Sequence, residues 1–461
     1  MAGFYIENFG CRAARADGEA VSARLRAEGL AERPLSEADV VVINTCSVTA
    51  EADRDARAFL RKTVRMNPEA KVVVTGCYAQ RAPGEIAALE GVTAVVGNSH
   101  KGLLPEIVQR LAGFSFENSA LIAPVNLVSG ASTAQIWADD RFAHSFIEDA
   151  QVIPGAETGA QTRPNLKIQE GCGNRCTFCV IPTTRGGSRS LPREKVLAQV
   201  RGFVAAAGKE LVLSGINLGR WGRDLPESYS FAGLVRTILE DTDLPRLRLS
   251  SIEPMDWTLE LIELMREFQG GRLARHAHLP LQSGSDAVLR RMHRRYRPWH
   301  YRQKVAELIE AAGPEMALGA DGMVGFPGET DTEFRETTDL IAQLPFTYLH
   351  LFPFSARPGT RGWELHRQSP VAPQAVQERM AALRALAAEK TRRFRAGFVG
   401  RTLPAITLHT HAALAAQGRT GALTDNYLPV EIAGALAANQ LLDVNVTGIN
   451  VSGILLATAQ R

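Results

Sequence analysis

The chain has 461 residues, 45% apolar and 22% charged, an ordinary globular composition large enough for two or three hydrophobic cores. A formal net charge of +3 is too small to establish a polyanionic partner, so any case for nucleic acid must rest on local clusters. No apolar run reaches about 18 residues, and Met1-Ala2-Gly3-Phe4-Tyr5-Ile6-Glu7 lacks a basic stretch followed by an apolar one. These features predict a soluble cytoplasmic protein without a membrane-spanning segment.

The first segment repeats one arrangement three times. Phe4-Tyr5-Ile6, Val40-Val41-Val42-Ile43 and Val72-Val73-Val74 each lead into a polar or glycine turn that carries Cys11, Cys46 or Cys77. Short β-branched runs alternating with helical stretches such as Ala50 to Arg65 predict a parallel α/β sheet. Ligands gather outside the carboxyl ends of such strands, where all three cysteines fall. Residues 1–125 are read as this amino-terminal domain and 126–160 as a linker, with a linker or hairpin at Ile153-Pro154-Gly155-Ala156-Glu157-Thr158-Gly159.

From 161 to 398, strand-like and helical runs alternate again, with strands expected at Leu166 to Ile168, Leu211 to Leu213, Leu247 to Leu249, His278 to Leu281, Met316 to Val324 and Tyr348 to Phe354. Six such units predict a partial (βα)6 barrel with its site at the strand carboxyl ends. Helical periodicity fills Gln374 to Phe398. Residues 399–461 then read as a small antiparallel β-barrel.

The chemistry lies in six cysteines. Cys172, Cys176 and Cys179 form a CxxxCxxC loop directly after a strand, and three thiolates can ligate three irons of a 4Fe-4S cube while leaving the fourth open. Zinc prefers four ligands, and no histidine lies between His144 and His276 to supply the fourth. By the same count Cys11, Cys46 and Cys77 would hold a second cluster with one open iron; the bland alternative is three buried cysteines acting as small hydrophobes.

Beyond these cysteines the chain resembles the radical S-adenosylmethionine (SAM) methylthiotransferases over nearly its whole length. The resemblance rests on Asn44-Thr45-Cys46-Ser47-Val48-Thr49, Thr75-Gly76-Cys77-Tyr78-Ala79-Gln80, Gln169-Glu170-Gly171-Cys172, Leu279-Pro280-Leu281-Gln282-Ser283-Gly284-Ser285 and Val324-Gly325-Phe326-Pro327-Gly328-Glu329-Thr330. It implies an amino-terminal cluster domain, a radical SAM core and a carboxyl-terminal TRAM-like barrel. It also implies two 4Fe-4S clusters, SAM held by the Phe178 backbone, Gly215, Ser251, Glu253 and Gln282, a reductase or flavodoxin-type electron donor, and a sulfur donor. Fragments such as Arg248-Leu249-Ser250-Ser251-Ile252-Glu253-Pro254 are most similar to the branch acting on N6-threonylcarbamoyladenosine just 3′ of the tRNA anticodon. The branches acting on N6-isopentenyladenosine and on a ribosomal-protein aspartate remain alternatives, as do a non-catalytic iron-sulfur redox protein and a zinc-stapled RNA-binding module. Two departures stand out: Ala14 where the family commonly has asparagine, and Thr183 where an aromatic often follows the proline.

The tRNA anticodon stem-loop is the expected partner. Arg290, Arg291, Arg294, Arg295, Arg297 and Arg302 interleave with His293, Tyr296, Trp299, His300 and Tyr301, joining phosphate-neutralising charge to rings for stacking. Arg54, Arg57, Arg61 and Arg65 share one helix face, and Lys390, Arg392, Arg393 and Arg395 form a third cluster. A charge run is equally often a solvated helix face. Residues 400–461 are electrically neutral, with Arg401, Arg419 and Arg461 opposed by Asp425, Glu431 and Asp443.

Overall fold

A computed structural model describes residues 2–114, 134–146, 152, 161–227, 229–268 and 271–460. Two compact units emerge. The first comprises Met1–Val152, Lys167–Leu191 and Ser355–Trp363, and the second comprises Ile153–Leu166, Pro192–Phe354 and Glu364–Arg461.

In the first unit, β1 (Gly3–Asn8), β2 (Ala31–Glu32), β3 (Val40–Thr45), β4 (Lys71–Gly76), β5 (Val92–Gly97) and β6 (Gln135–Trp137) form one parallel sheet in the order β2-β1-β3-β4-β5-β6. Its central strands are apolar throughout because both faces are covered. Val41, Ile43, Val72, Val74 and Val95 enter one core, and Val40, Val42, Val73, Ala94 and Val96 the other. The helix Ala50–Met66 starts where Thr49 Oγ1 accepts from the Ala52 amide at 3.2 Å, with Glu51 and Asp53 in its first turn. β6 corrects the reading of 126–160 as linker: Ile136 and Trp137 are buried, and the strand pairs with β5. The hairpin expected at 153–159 lies outside the described residues. β7 (Asn165–Glu170) pairs antiparallel with β8 (Arg189–Ser190) through Gln169 and Glu170.

The second unit carries the remaining barrel strands, β9 (Glu210–Gly215), β10 (Arg246–Leu249), β11 (His276–His278), β12 (Ala317–Val324) and β13 (Tyr348–Pro353). β9 pairs with β10 and β11-β12-β13 pair in turn, all parallel, with a Ser251–His278 bridge joining the end of β10 to β11. β11 lies two residues earlier than the sequence suggests, since Pro280 has no amide to give a ladder. A 24-residue helix, Pro373–Ala396, leads to a closed barrel of β14 (Thr402–Thr407), β15 (Arg419–Thr424), β16 (Pro429–Ala433), β17 (Leu441–Ile449) and β18 (Leu455–Ala459), in the order β14-β15-β16-β18-β17. Leu403, Ala405, Val430, Ile432, Val444, Val446 and Leu455 fill it. Arg248 Nη1 and Nη2 donate to the Asp425 and Thr424 carbonyls at 3.0 Å each, and Arg275 pairs with Asp425 at 2.6 Å, so the small barrel is bonded to the strands above it.

Candidate functional site

Cys11, Cys46 and Cys77 stand directly beyond β1, β3 and β4, three adjacent parallel strands in register at Asn8–Asn44 and Thr45–Gly76. Cys46 and Cys77 are buried, Cys11 is exposed, and all six cysteines of the chain are thiols. The close approach needs glycine. Gly10 has φ +103°, and a Cβ there would sit 2.8 Å from Cys46 Sγ. Burial, then repulsion from Cys77 and Cys11, pushes the Cys46 thiol up to about 12. Three clustered thiols, two of them buried, suit a metal group, whose positive charge would take their protons' place.

Cys172, Cys176 and Cys179 occupy the loop after β7, in the same unit as the first triad, although the sequence assigns the two triads to separate domains. The Asn174 and Ile181 amides donate to Cys172 Sγ and Cys179 Sγ at 3.4 Å. Asn98 ties the two regions together, donating to Cys77 Sγ at 3.4 Å and to the Thr184 carbonyl at 2.8 Å.

A buried ionic network that sequence reading missed completes the connection. Arg185, wholly buried, donates through Nη1 to Glu170 at 2.7 Å and through Nη2 to Asp17 at 3.2 Å. Lys101 reaches Asp17 at 2.9 Å and Asn44 at 3.2 Å, while Lys167 bonds Asp17 and, at 2.5 Å, Glu170. Burial raises the Asp17 carboxyl, but Lys101, Lys167 and Arg185 outweigh it and hold Asp17 well below the usual carboxylate range. Asn44 also donates to the Ala14 carbonyl at 2.6 Å, so the position where the family has asparagine is fixed here through its backbone. Thr183, the other departure, is exposed and bonds the Val180 carbonyl at 2.8 Å. Beside Cys46, Ser47 accepts from Arg81 and Arg357 at 2.8 Å each, and both arginines pair with Asp53. Asn44, Ser47, Arg81, Lys167, Glu170 and Arg185 lie within six residues of a cysteine, but Lys101 and Arg357 carry no local signal.

Of the residues expected to hold SAM, Phe178 belongs to the cysteine loop, and Gly215, Ser251, Glu253 and Gln282 lie at strand ends of the second unit. Gln282 is 6% exposed, has φ +63°, and its Oε1 has no hydrogen-bond partner; Ser214 Oγ is likewise unsatisfied. Buried polar atoms left open at the top of a barrel fit a polar cofactor. Glu253 Oε1 is already engaged by Arg294 at 2.6 Å. Across β11, β12 and β13, Asp321 lies 3.4 Å from His278 Nε2 and 3.5 Å from the exposed His350 Nδ1, and Ser251 Oγ meets His278 Nδ1 at 3.0 Å. This His-Asp-His group, spaced over 70 residues, was not apparent from sequence.

The arginine segment expected to face RNA is laced with ion pairs. Arg290 and Arg297 pair with Asp286, Arg291 with Glu333, Arg294 with Glu253 and Arg295 with Asp256. Tyr296 and Tyr301 are fully buried, with hydroxyls donating to the Leu281 and Leu279 carbonyls. Tyr296 and Tyr301 are thus core rings, while Trp299 is 53% exposed and Arg290, Arg295 and Arg302 remain at the surface. Arg54, Arg61 and Arg65 on the helix Ala50–Met66 are also exposed.

Two family models match parts of the chain: the uncharacterized protein family UPF0004 at residues 3–97 and the radical SAM superfamily at 166–341. The chain is 34% identical to the threonylcarbamoyladenosine tRNA methylthiotransferase MtaB of Bacillus subtilis, over 94% of this chain and 91% of that protein. It is 32% identical to the MtaB of Aquifex aeolicus, over 95% and 98%. It is also 32% identical to the tRNA-2-methylthio-N(6)-dimethylallyladenosine synthase of Geobacter metallireducens, over 96% and 95%. Among solved structures, the radical SAM methyltransferase TsrM of Kitasatospora setae superposes with a TM-score of 0.55 at 15% identity, over 80% of this chain and 78% of that one, a likeness of fold.

Proposed function

Because the chain belongs to the radical SAM methylthiotransferases, we propose that it converts N6-threonylcarbamoyladenosine, just 3′ of the tRNA anticodon, to the 2-methylthio derivative. The carrying observation is the pair of three-cysteine sets in one unit, joined to near full-length similarity to enzymes named for that reaction. When bound, two 4Fe-4S clusters and SAM supply one-electron chemistry strong enough to break the inert C2–H bond of adenine and a methylated sulfur to replace it.

In this reading Cys172, Cys176 and Cys179 would hold the cluster that serves SAM, and Cys11, Cys46 and Cys77 would hold a second cluster. The Phe178 backbone, Gly215, Ser251, Glu253 and Gln282 orient SAM, with the open Gln282 Oε1 and Ser214 Oγ as ready acceptors. Exposed Arg54, Arg61 and Arg65 neutralise tRNA phosphates, and the target base leaves its stack in the anticodon loop to be reached. The enzyme works in the cytoplasm with a reductase or flavodoxin-type electron donor and a separate sulfur donor.

The Geobacter relative, at 32% identity against 34% for the Bacillus protein, supports a second reading with N6-isopentenyladenosine as substrate. Nucleoside mass spectrometry of tRNA from cells with and without the chain decides between them. Loss of 2-methylthio-N6-threonylcarbamoyladenosine supports the first. Its persistence, with loss of the isopentenyl counterpart, supports the second.

A further inference from the structure

Arg185 is a wholly buried guanidinium whose two terminal nitrogens are fixed by Glu170 and Asp17, while its Nε has no hydrogen-bond partner. A buried, unpaired N–H costs about 1–3 kcal/mol and calls for an acceptor. The groups that act electrostatically on Arg185 include Cys77 and Cys11 as well as the two carboxylates. Around it, three cations, Lys101, Lys167 and Arg185, face two carboxylates, Asp17 and Glu170. The same imbalance recurs beside Cys46, where Arg81 and Arg357 share the single carboxylate of Asp53, and Arg357 Nε is again unpartnered. Excess buried positive charge is costly unless an anion balances it. The thiolates and sulfides of an iron-sulfur group at Cys11, Cys46 and Cys77 form such an anion.

We propose that Arg185, positioned by Asp17 and Glu170, donates Nε–H to sulfur at the Cys11/Cys46/Cys77 centre, and that the surplus charge of its network sets that centre's reduction potential and its hold on an exogenous sulfide anion. This rests on the reading of those cysteines as a second cluster. One-electron reduction adds negative charge to the centre, so a nearby cation favours the reduced form and raises the potential. Removing a cation lowers the potential, and removing a carboxylate raises it. Arg185 is a positioning and tuning residue whose effect is electrostatic.

The test uses the full chain with Cys172, Cys176 and Cys179 changed to alanine, reconstituted anaerobically and followed by redox titration with electron paramagnetic resonance. Relative to this parent, Arg185→Gln should shift the potential down, Asp17→Asn should shift it up, and Arg185→Lys should keep the potential close to the parent's. Arg185→Gln and Arg185→Lys should both weaken sulfide binding about 10- to 100-fold. A purely structural role would move Arg185→Gln and Asp17→Asn in the same direction or not at all, and either result overturns the proposal. Should Arg185→Gln fail to load iron, Asp17→Asn alone decides, since an unmoved or lowered potential is fatal. A parent without about four irons per chain refutes the second cluster itself, a failure distinct from that of Arg185.

Discussion

Glu210 is fully buried and accepts from Arg163 and Arg248 at 2.7 Å each, with Arg246 at 3.5 Å. Burial raises its carboxyl, but the guanidinium groups of Arg248, Arg163 and Arg246 outweigh burial and hold it well below the usual carboxylate range. A carboxyl lowered by folding stabilises the native state at every pH above its unfolded value near 4, and that stabilisation is lost as pH falls toward the folded value. Glu210→Gln leaves buried cations unpaired and should cost about 3–5 kcal/mol at pH 7, with a shallower loss of stability below about pH 4 than the parent shows; urea melts at pH 7 and pH 3 check both. Cys46→Ser should halve the iron bound after anaerobic reconstitution, from about eight to about four per chain, read by iron assay. The two residues differ in legibility. Cys46 follows a β-branched run and reads at once as a strand-end ligand, whereas Glu210 gains its meaning from Arg163, Arg246 and Arg248, which sit on other segments and look like ordinary surface charges in sequence.

The turn after β4 admits only glycine. Gly76 has φ +97°, and a Cβ there would lie 2.2 Å from the Thr45 carbonyl oxygen. Gly76→Ala should destabilise by about 1–3 kcal/mol, seen in thermal melts, and should lower iron retention because Cys77 is the next residue. On the helix Ala50–Met66, changing Arg54, Arg61 and Arg65 together to glutamine should weaken tRNA binding and reduce the slope of log affinity against log salt by roughly three, measured by filter binding over a salt series. Strands and their order along the chain were legible because period and β-branching are local signals. The pairing of the arginines of 290–297 was not: Asp286 alone is a sequence neighbour, while Glu253, Asp256 and Glu333 come from 40 or so residues away and give a basic run its ion-pair partners. β6 was missed for the related reason that three residues carry too little pattern.

At the scale of the molecule, the carboxyl-terminal barrel is a structural partner of the strands it touches. Arg248 spends both Nη groups on the Thr424 and Asp425 carbonyls, and Tyr427 packs against His276 with centroids 4.5 Å apart. A chain ending before Thr402 should therefore lose solubility and bind a hydrophobic dye rather than simply lose RNA affinity, as size-exclusion chromatography and dye fluorescence would report. The division into units was the least legible feature, because the amino-terminal unit draws on three separate stretches of chain, the last of them Ser355–Trp363. Within it, Arg357 clasps Ser47 and Asp53, and the Gly362 amide meets the Thr177 carbonyl at 2.7 Å. During synthesis, then, the cysteines emerge early, but their surroundings are incomplete until residue 363 of 461 has left the ribosome. Iron arriving sooner would meet a cradle still lacking the Arg357 and Gly362 contacts.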